Sequence, residues 1–141
     1  MSKNIETYRI LEKINSKVSE YEWKTPSDSL LDELSDKRLN ESSVSNAYYL
    51  TLSNRLISIG KINKRFYFDE NNYTTDENYF ISIANIEREP VNEEGIRLKN
   101  LLCSYDFEIK SNNSSNEVSI REVYEKIAEQ LLDFESIIDD L

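Results

Sequence analysis

Histidine is absent from this 141-residue chain, and there is one cysteine, with two glycines and two prolines. Without imidazole there is no histidine general acid or base, no Ser-His or Cys-His nucleophile pair, and no metal site built on imidazole. Cys103 has no partner for an internal disulfide, and its neighbours Leu101 and Leu102 predict a buried thiol. With only Gly60 and Gly95 available, the chain has no glycine-rich loop to cradle a phosphate, so the two commonest nucleotide fingerprints are missing. Gly60-Lys61 lacks the rest of a P-loop, and no ribonucleoprotein motif is present.

Long apolar runs are missing too. No stretch approaches the roughly 18 residues of a membrane span, and the start, Met-Ser-Lys-Asn-Ile-Glu, lacks the charged and then apolar pattern of a secretory signal. A cytoplasmic location is the expectation. Asn-x-Ser/Thr triplets at Asn40, Asn72, Asn112 and Asn113 then read as loop composition. The length suits one domain spanning the whole chain, and 31% charged residues beside a set of Ile, Leu, Tyr and Phe is the composition of a globular protein.

What is present is sorted charge. The net charge is −10. It divides as −2 over residues 1–45, +4 over 46–68, −7 over 69–94, 0 over 95–118 and −5 over 119–141. The positive segment has no Asp or Glu, and sets Arg55, Lys61, Lys64 and Arg65 among Tyr48, Tyr49, Phe66, Tyr67 and Phe68. Sorting of this kind steers how a partner approaches.

Periodicity supplies the elements. Ile5, Tyr8, Leu11, Ile14, Val18 and Tyr21 recur at three or four and predict an amphipathic helix from Asn4 to about Tyr21. A short second helix is expected after Thr25, with Pro26 at its first position and Leu30, Leu31 and Leu34 on its apolar side. Residues 39–46 have the composition of a connection. Aromatic and β-branched runs at Tyr48–Ser53, Leu56–Ile59, Arg65–Asp69 and Tyr79–Ile86 predict an antiparallel meander. Glu93 and Glu94 ahead of Leu98, Leu101 and Leu102 favour a short helix over 93–103, then a strand from Tyr105 to Lys110. Ser119-Ile120-Arg121-Glu122 has capping-box spacing after a flexible run, Ser111 to Asn116. From Ile120 a long helix is expected, with Ile120, Tyr124, Ile127, Leu131, Phe134, Ile138 and Leu141 alternating at four and three. Val123, Ala128, Leu132 and Ile137 widen that stripe.

Three groups of residues are candidates for function. At 100° per residue, Glu122, Glu125, Glu129, Asp133 and Asp140 fall within about 80° of one another, opposite the stripe. This acidic ridge suits a basic partner, such as a nuclease toxin or a DNA-binding protein whose phosphate groove the carboxylates imitate. Arg55, Lys61, Lys64 and Arg65 form a candidate anion site, though pairing with the acidic segment 69–94 across a hairpin is the plainer role. Tyr124, Ile127, Leu131, Phe134 and Ile138 are candidates for a homodimer interface, if part of the stripe meets a second subunit. The acidic turn Asp69 to Asn78 lacks EF-hand spacing and reads as a solvated loop; no metal or cofactor is expected.

The expected fold is α+β: N-terminal helices, a central antiparallel sheet of four to five strands, and a long C-terminal amphipathic helix packed on the sheet. The expected function is non-catalytic: a small acidic protein that binds and neutralises a basic protein, of the immunity-protein, antitoxin or phage-encoded inhibitor kind. A dimeric acidic chaperone or adaptor is the alternative, and a small-molecule or nucleotide sequestering protein the third. Nucleic acid is an unlikely partner at pI 4.6, and no membrane is expected.

Overall fold

Four strands, β1 (Ser42–Leu52), β2 (Arg55–Tyr67), β3 (Tyr73–Arg88) and β4 (Ile96–Tyr105), pair in chain order as an antiparallel meander in this computed structural model. The described residues are 3–34, 42–106 and 118–141. Ahead of the sheet come α1 (Lys3–Ser16), a 3₁₀ turn at Val18–Glu20 and α2 (Asp28–Glu33); after it come α3 (Ile120–Leu132) and α4 (Phe134–Asp140). The architecture is α+β, with the C-terminal helix on the sheet, as the apolar periodicities require. Among the described residues no helix is long and apolar enough to cross a membrane.

Side chains that alternate along the strands build a core on each face of the sheet. On one, Leu50, Ile57, Ile59 and Ile81 meet Leu11 and Ile14 of α1, Val18, Trp23, and Ile120, Val123, Tyr124 and Ile127 of α3. On the other, Ala47, Tyr49, Leu56, Ile62, Phe80 and Cys103 meet Leu30 and Leu34 at α2. The chain passes between the layers along the β1 edge, where Lys24 and Tyr49 exchange backbone hydrogen bonds of 2.8 and 2.9 Å. That exchange covers part of a strand edge that would otherwise present unpaired amides. Cys103 is buried, as its neighbours predict.

Several boundaries differ from the sequence expectation, each for a local reason. The first helix ends at Ser16 and gives way to the 3₁₀ turn. Ser27, not Thr25, caps α2; its hydroxyl accepts from the Leu30 amide, and Pro26 precedes the helix. Strand β1 begins at Ser42, inside the polar stretch read as a connection. Strand β2 runs unbroken through Lys61–Arg65, because beyond Ile62 the hairpin extends past the cores and its strands need no apolar alternation.

The segment 93–103 is the clearest correction: it is a turn followed by β4, not a helix. Asn100 adopts φ 55°, and the pairing with β3 slips between Ile83 and Asn85. One extra residue on β4 therefore breaks the period of two that would have announced a strand. Of the expected strand over Tyr105–Lys110, Tyr105 ends β4 and Asp106 lies just past it; residues 107–117, including the run Ser111 to Asn116, lie outside the described set.

Candidate functional site

α3 carries the candidate ridge, and the fold sets its position from both ends. At the start, the Ser119 hydroxyl accepts from the Glu122 amide at 3.1 Å, the capping bond expected from spacing. The buried Asp106 carboxylate, just past β4, accepts from the Ile120 amide at 3.0 Å and places negative charge at the positive end of the helix dipole. Further along, Lys126 Nζ donates to Asn15 Oδ1 at 2.6 Å, tying α3 to α1.

A tyrosine cluster fixes the helix against the sheet. Tyr124 stands 5.3 Å from Tyr48 and 5.5 Å from Tyr79, ring centre to ring centre. Asn46 Nδ2 donates to the hydroxyl of Tyr124 at 2.8 Å and to that of Tyr48 at 3.2 Å. Burial pushes the Tyr124 phenol up to about 12, against the opposing pull of the Asn46 bond. Asn46 and Tyr79 escaped sequence reasoning because the cluster draws on two strands and a helix, and no local spacing announces it.

With Tyr124 and Ile127 turned to the sheet, the ridge faces away from it. Glu122, Glu125, Glu129 and Asp133 are all exposed. Arg121 Nε lies 3.0 Å from Glu125 Oε1, one turn away, whereas Glu122 and Glu129 have no ion-pair partner among the described residues. The ridge is not one straight row. Asp133 adopts the left-handed conformation, φ 50° and ψ 69°, so α3 stops at Leu132 and α4 starts in a new direction. Asp140 is exposed on α4 and does not continue the line of Glu122, Glu125 and Glu129.

The same break divides the candidate dimer residues. Tyr124 and Ile127 are buried in the chain's own core at 7% and 0% exposure, which removes them from any surface open to a second subunit. Leu131 and Ile138 are exposed at 43% and 66%. The Phe134 side chain lies outside the described set.

The basic residues are spread along β2. Arg55 sits at the β1–β2 turn and lines a shallow depression with Leu52, Ser53, Asn54, Asn85 and Ile86. Lys61 is six residues away, roughly 20 Å along an extended strand. Its ammonium pairs with Glu77 across the hairpin at 3.3 Å and lies 6.0 Å from the Tyr124 ring centre. Arg65 stacks on Tyr73 at 4.8 Å. Lys64 is opposite Asp76 in the strand register, and its side chain is outside the described set. Positive β2 thus faces negative β3, and among the described side chains Arg55 stands apart from Lys61 and Arg65.

The acidic turn between β2 and β3 is satisfied internally. Asp69 accepts from the Asn71 and Asn72 amides and from Asn72 Nδ2, and these bonds, the side-chain one foremost, hold its carboxyl below the usual range. Among the described residues no three acids or cysteines converge as a metal site requires. Comparison with protein-family models, curated proteins and solved structures finds no match to this chain.

Proposed function

We propose that this chain binds and neutralises a basic protein, with the exposed carboxylates of α3 as its first point of contact. The observation that carries the reading is the run of exposed acids, Glu122, Glu125 and Glu129 on a helix packed against the sheet and Asp133 at its end. Rigid presentation matters because fixed charges steer encounter without an ordering cost on binding. The ridge belongs to a region of net −5, and beyond Lys126 the chain has no basic residue. A partner with an Arg- or Lys-lined groove, of the kind that holds nucleic acid, matches this in sign.

The pairing of Lys61 with Glu77 and the scatter of the other cations favour this over ligand sequestration, because the positive segment is engaged within its own hairpin. Affinity capture from the native host tests the reading. The wild-type chain should retain a basic protein that Glu125→Lys with Glu129→Lys fails to hold, while circular dichroism stays unchanged. Retention of the same proteins by both forms would refute the ridge as the contact.

A further inference from the structure

The apolar stripe of α3 outruns the sheet it packs on. Ile120, Val123 and Ile127 are fully buried, but exposure rises to 43% at Leu131 and 55% at Leu132. On α4 it is 43% at Ile137, 66% at Ile138 and 99% at Leu141. Five large apolar side chains within eleven residues stand in water on two successive helical segments. Solvated helix ends of small proteins are usually polar.

Charge decides what can cover this surface. After Lys126 the chain carries Glu129, Asp133, Glu135, Asp139 and Asp140 and no positive residue. Glu129, Asp133, Asp139 and Asp140 are exposed alongside the apolar side chains. A second copy of this chain would bring acids against acids, and an anionic lipid surface would be repelled in the same way. A helix with an apolar stripe between rows of Lys or Arg satisfies both features at once, as flanking charges select partners in helix pairs.

We infer that the overhang formed by the end of α3 and by α4 is a docking site for a basic amphipathic helix of another protein. Leu132, Ile138 and Leu141 supply the apolar contacts and Asp133, Asp139 and Asp140 the flanking charge. The inference rests on the proposed binding of a basic protein and specifies the element of that partner which is held. Acids on the ridge guide the approach; the overhang holds what arrives.

The test uses the full chain and a fluorescent synthetic peptide of about 18 residues, with Leu on one helical face and Lys on the other. The peptide should bind and gain helicity. A scrambled peptide of equal composition should bind at least about tenfold more weakly, because it presents no apolar face. Leu132→Ser with Ile138→Ser should weaken binding by about tenfold or more, and Leu141→Ser by a smaller factor. All three side chains are exposed, so folding is not at stake.

Equal binding of the scrambled peptide, or no loss in the serine variants, overturns the inference. Concentration-dependent dimerisation removed by the same substitutions would assign the surface to a second copy and overturn it. Binding to phosphatidylcholine vesicles removed by them would assign it to lipid, with the same consequence. If the ridge reversal abolishes partner capture while the serine variants capture normally, only the overhang inference falls; if neither changes capture, the broader reading falls as well.

Discussion

Gly60 sits where β1 crowds against β2. A Cβ there would lie 2.5 Å from the Asn46 carbonyl oxygen and 2.8 Å from the Ala47 Cβ, so nothing larger than hydrogen fits without moving backbone. Asn46 is also the residue whose side-chain amide holds Tyr124 and Tyr48 on the other face of the sheet. On the face of the sheet that carries Leu56 and Phe80, the hydroxyls of Ser58 and Ser82 are buried with no hydrogen-bond partner among the described residues. Gly60→Ala and Ser82→Ala should therefore move stability in opposite directions. The first should cost about 1–3 kcal/mol by overpacking, and the second should be neutral or stabilising because it removes an unpaired buried hydroxyl. Urea denaturation reads both. Tyr124 gives a further test at this scale. Its phenol keeps its proton to about pH 12 in the folded state, against an ordinary value of 10.0, so between these limits the native chain binds more protons than the unfolded one. Unfolding free energy should then fall as pH rises through this window, by up to about 1.4 kcal/mol per pH unit, and Tyr124→Phe should reduce that slope.

Among the elements, α3 depends most on local chemistry. Ser119→Ala should destabilise the protein by about 1 kcal/mol, because the Glu122 amide loses its acceptor at the first turn. Thermal unfolding measures the loss. This helix was legible in the sequence because its cap and its first three turns are local signals that tertiary packing does not override. Its end was not legible, because Leu131 to Leu141 keep the helical spacing while a single backbone conformation at Asp133 turns the chain. Strand β4 was hidden for the converse reason. The bulge at Asn100 shifts the alternation, and Glu93 and Glu94 imitate the acidic first turn of a helix. The Glu94 carboxylate instead accepts from the Ser27 amide at 2.6 Å and hydroxyl at 2.7 Å, holding the turn against the start of α2. Partial burial alone would raise the Glu94 carboxyl, but the Ser27 bonds outweigh it and bring it below its usual value. Contacts 67 residues apart leave no trace in local spacing. The ridge was thus readable at Glu122, Glu125 and Glu129, which share α3, and misleading at Asp140, which does not.

For the whole molecule, the sorted charge divides between internal and external use. Between residues 46 and 94 much of it is matched within the sheet: Lys61 meets Glu77 on β2 and β3, and Arg97 and Lys99 of β4 meet Glu89 and Glu87 of β3. These exposed pairs contribute little to stability but cancel much of the local field. Among the described residues the −5 of residues 119–141 has no comparable counterpart, since Arg121 pairs with Glu125 on its own helix and Lys126 bonds to neutral Asn15. The last two helices therefore add their carboxylates to the outward field at the same end of the molecule where the overhanging apolar residues lie. The most direct test is the affinity for the captured basic partner, measured from about 50 to about 500 mM NaCl for the wild type and for Glu125→Lys with Glu129→Lys. The wild-type affinity should fall steadily as salt rises, and the reversed form should bind weakly with little salt dependence. An affinity unchanged by salt, or equal in the two forms, would contradict the account.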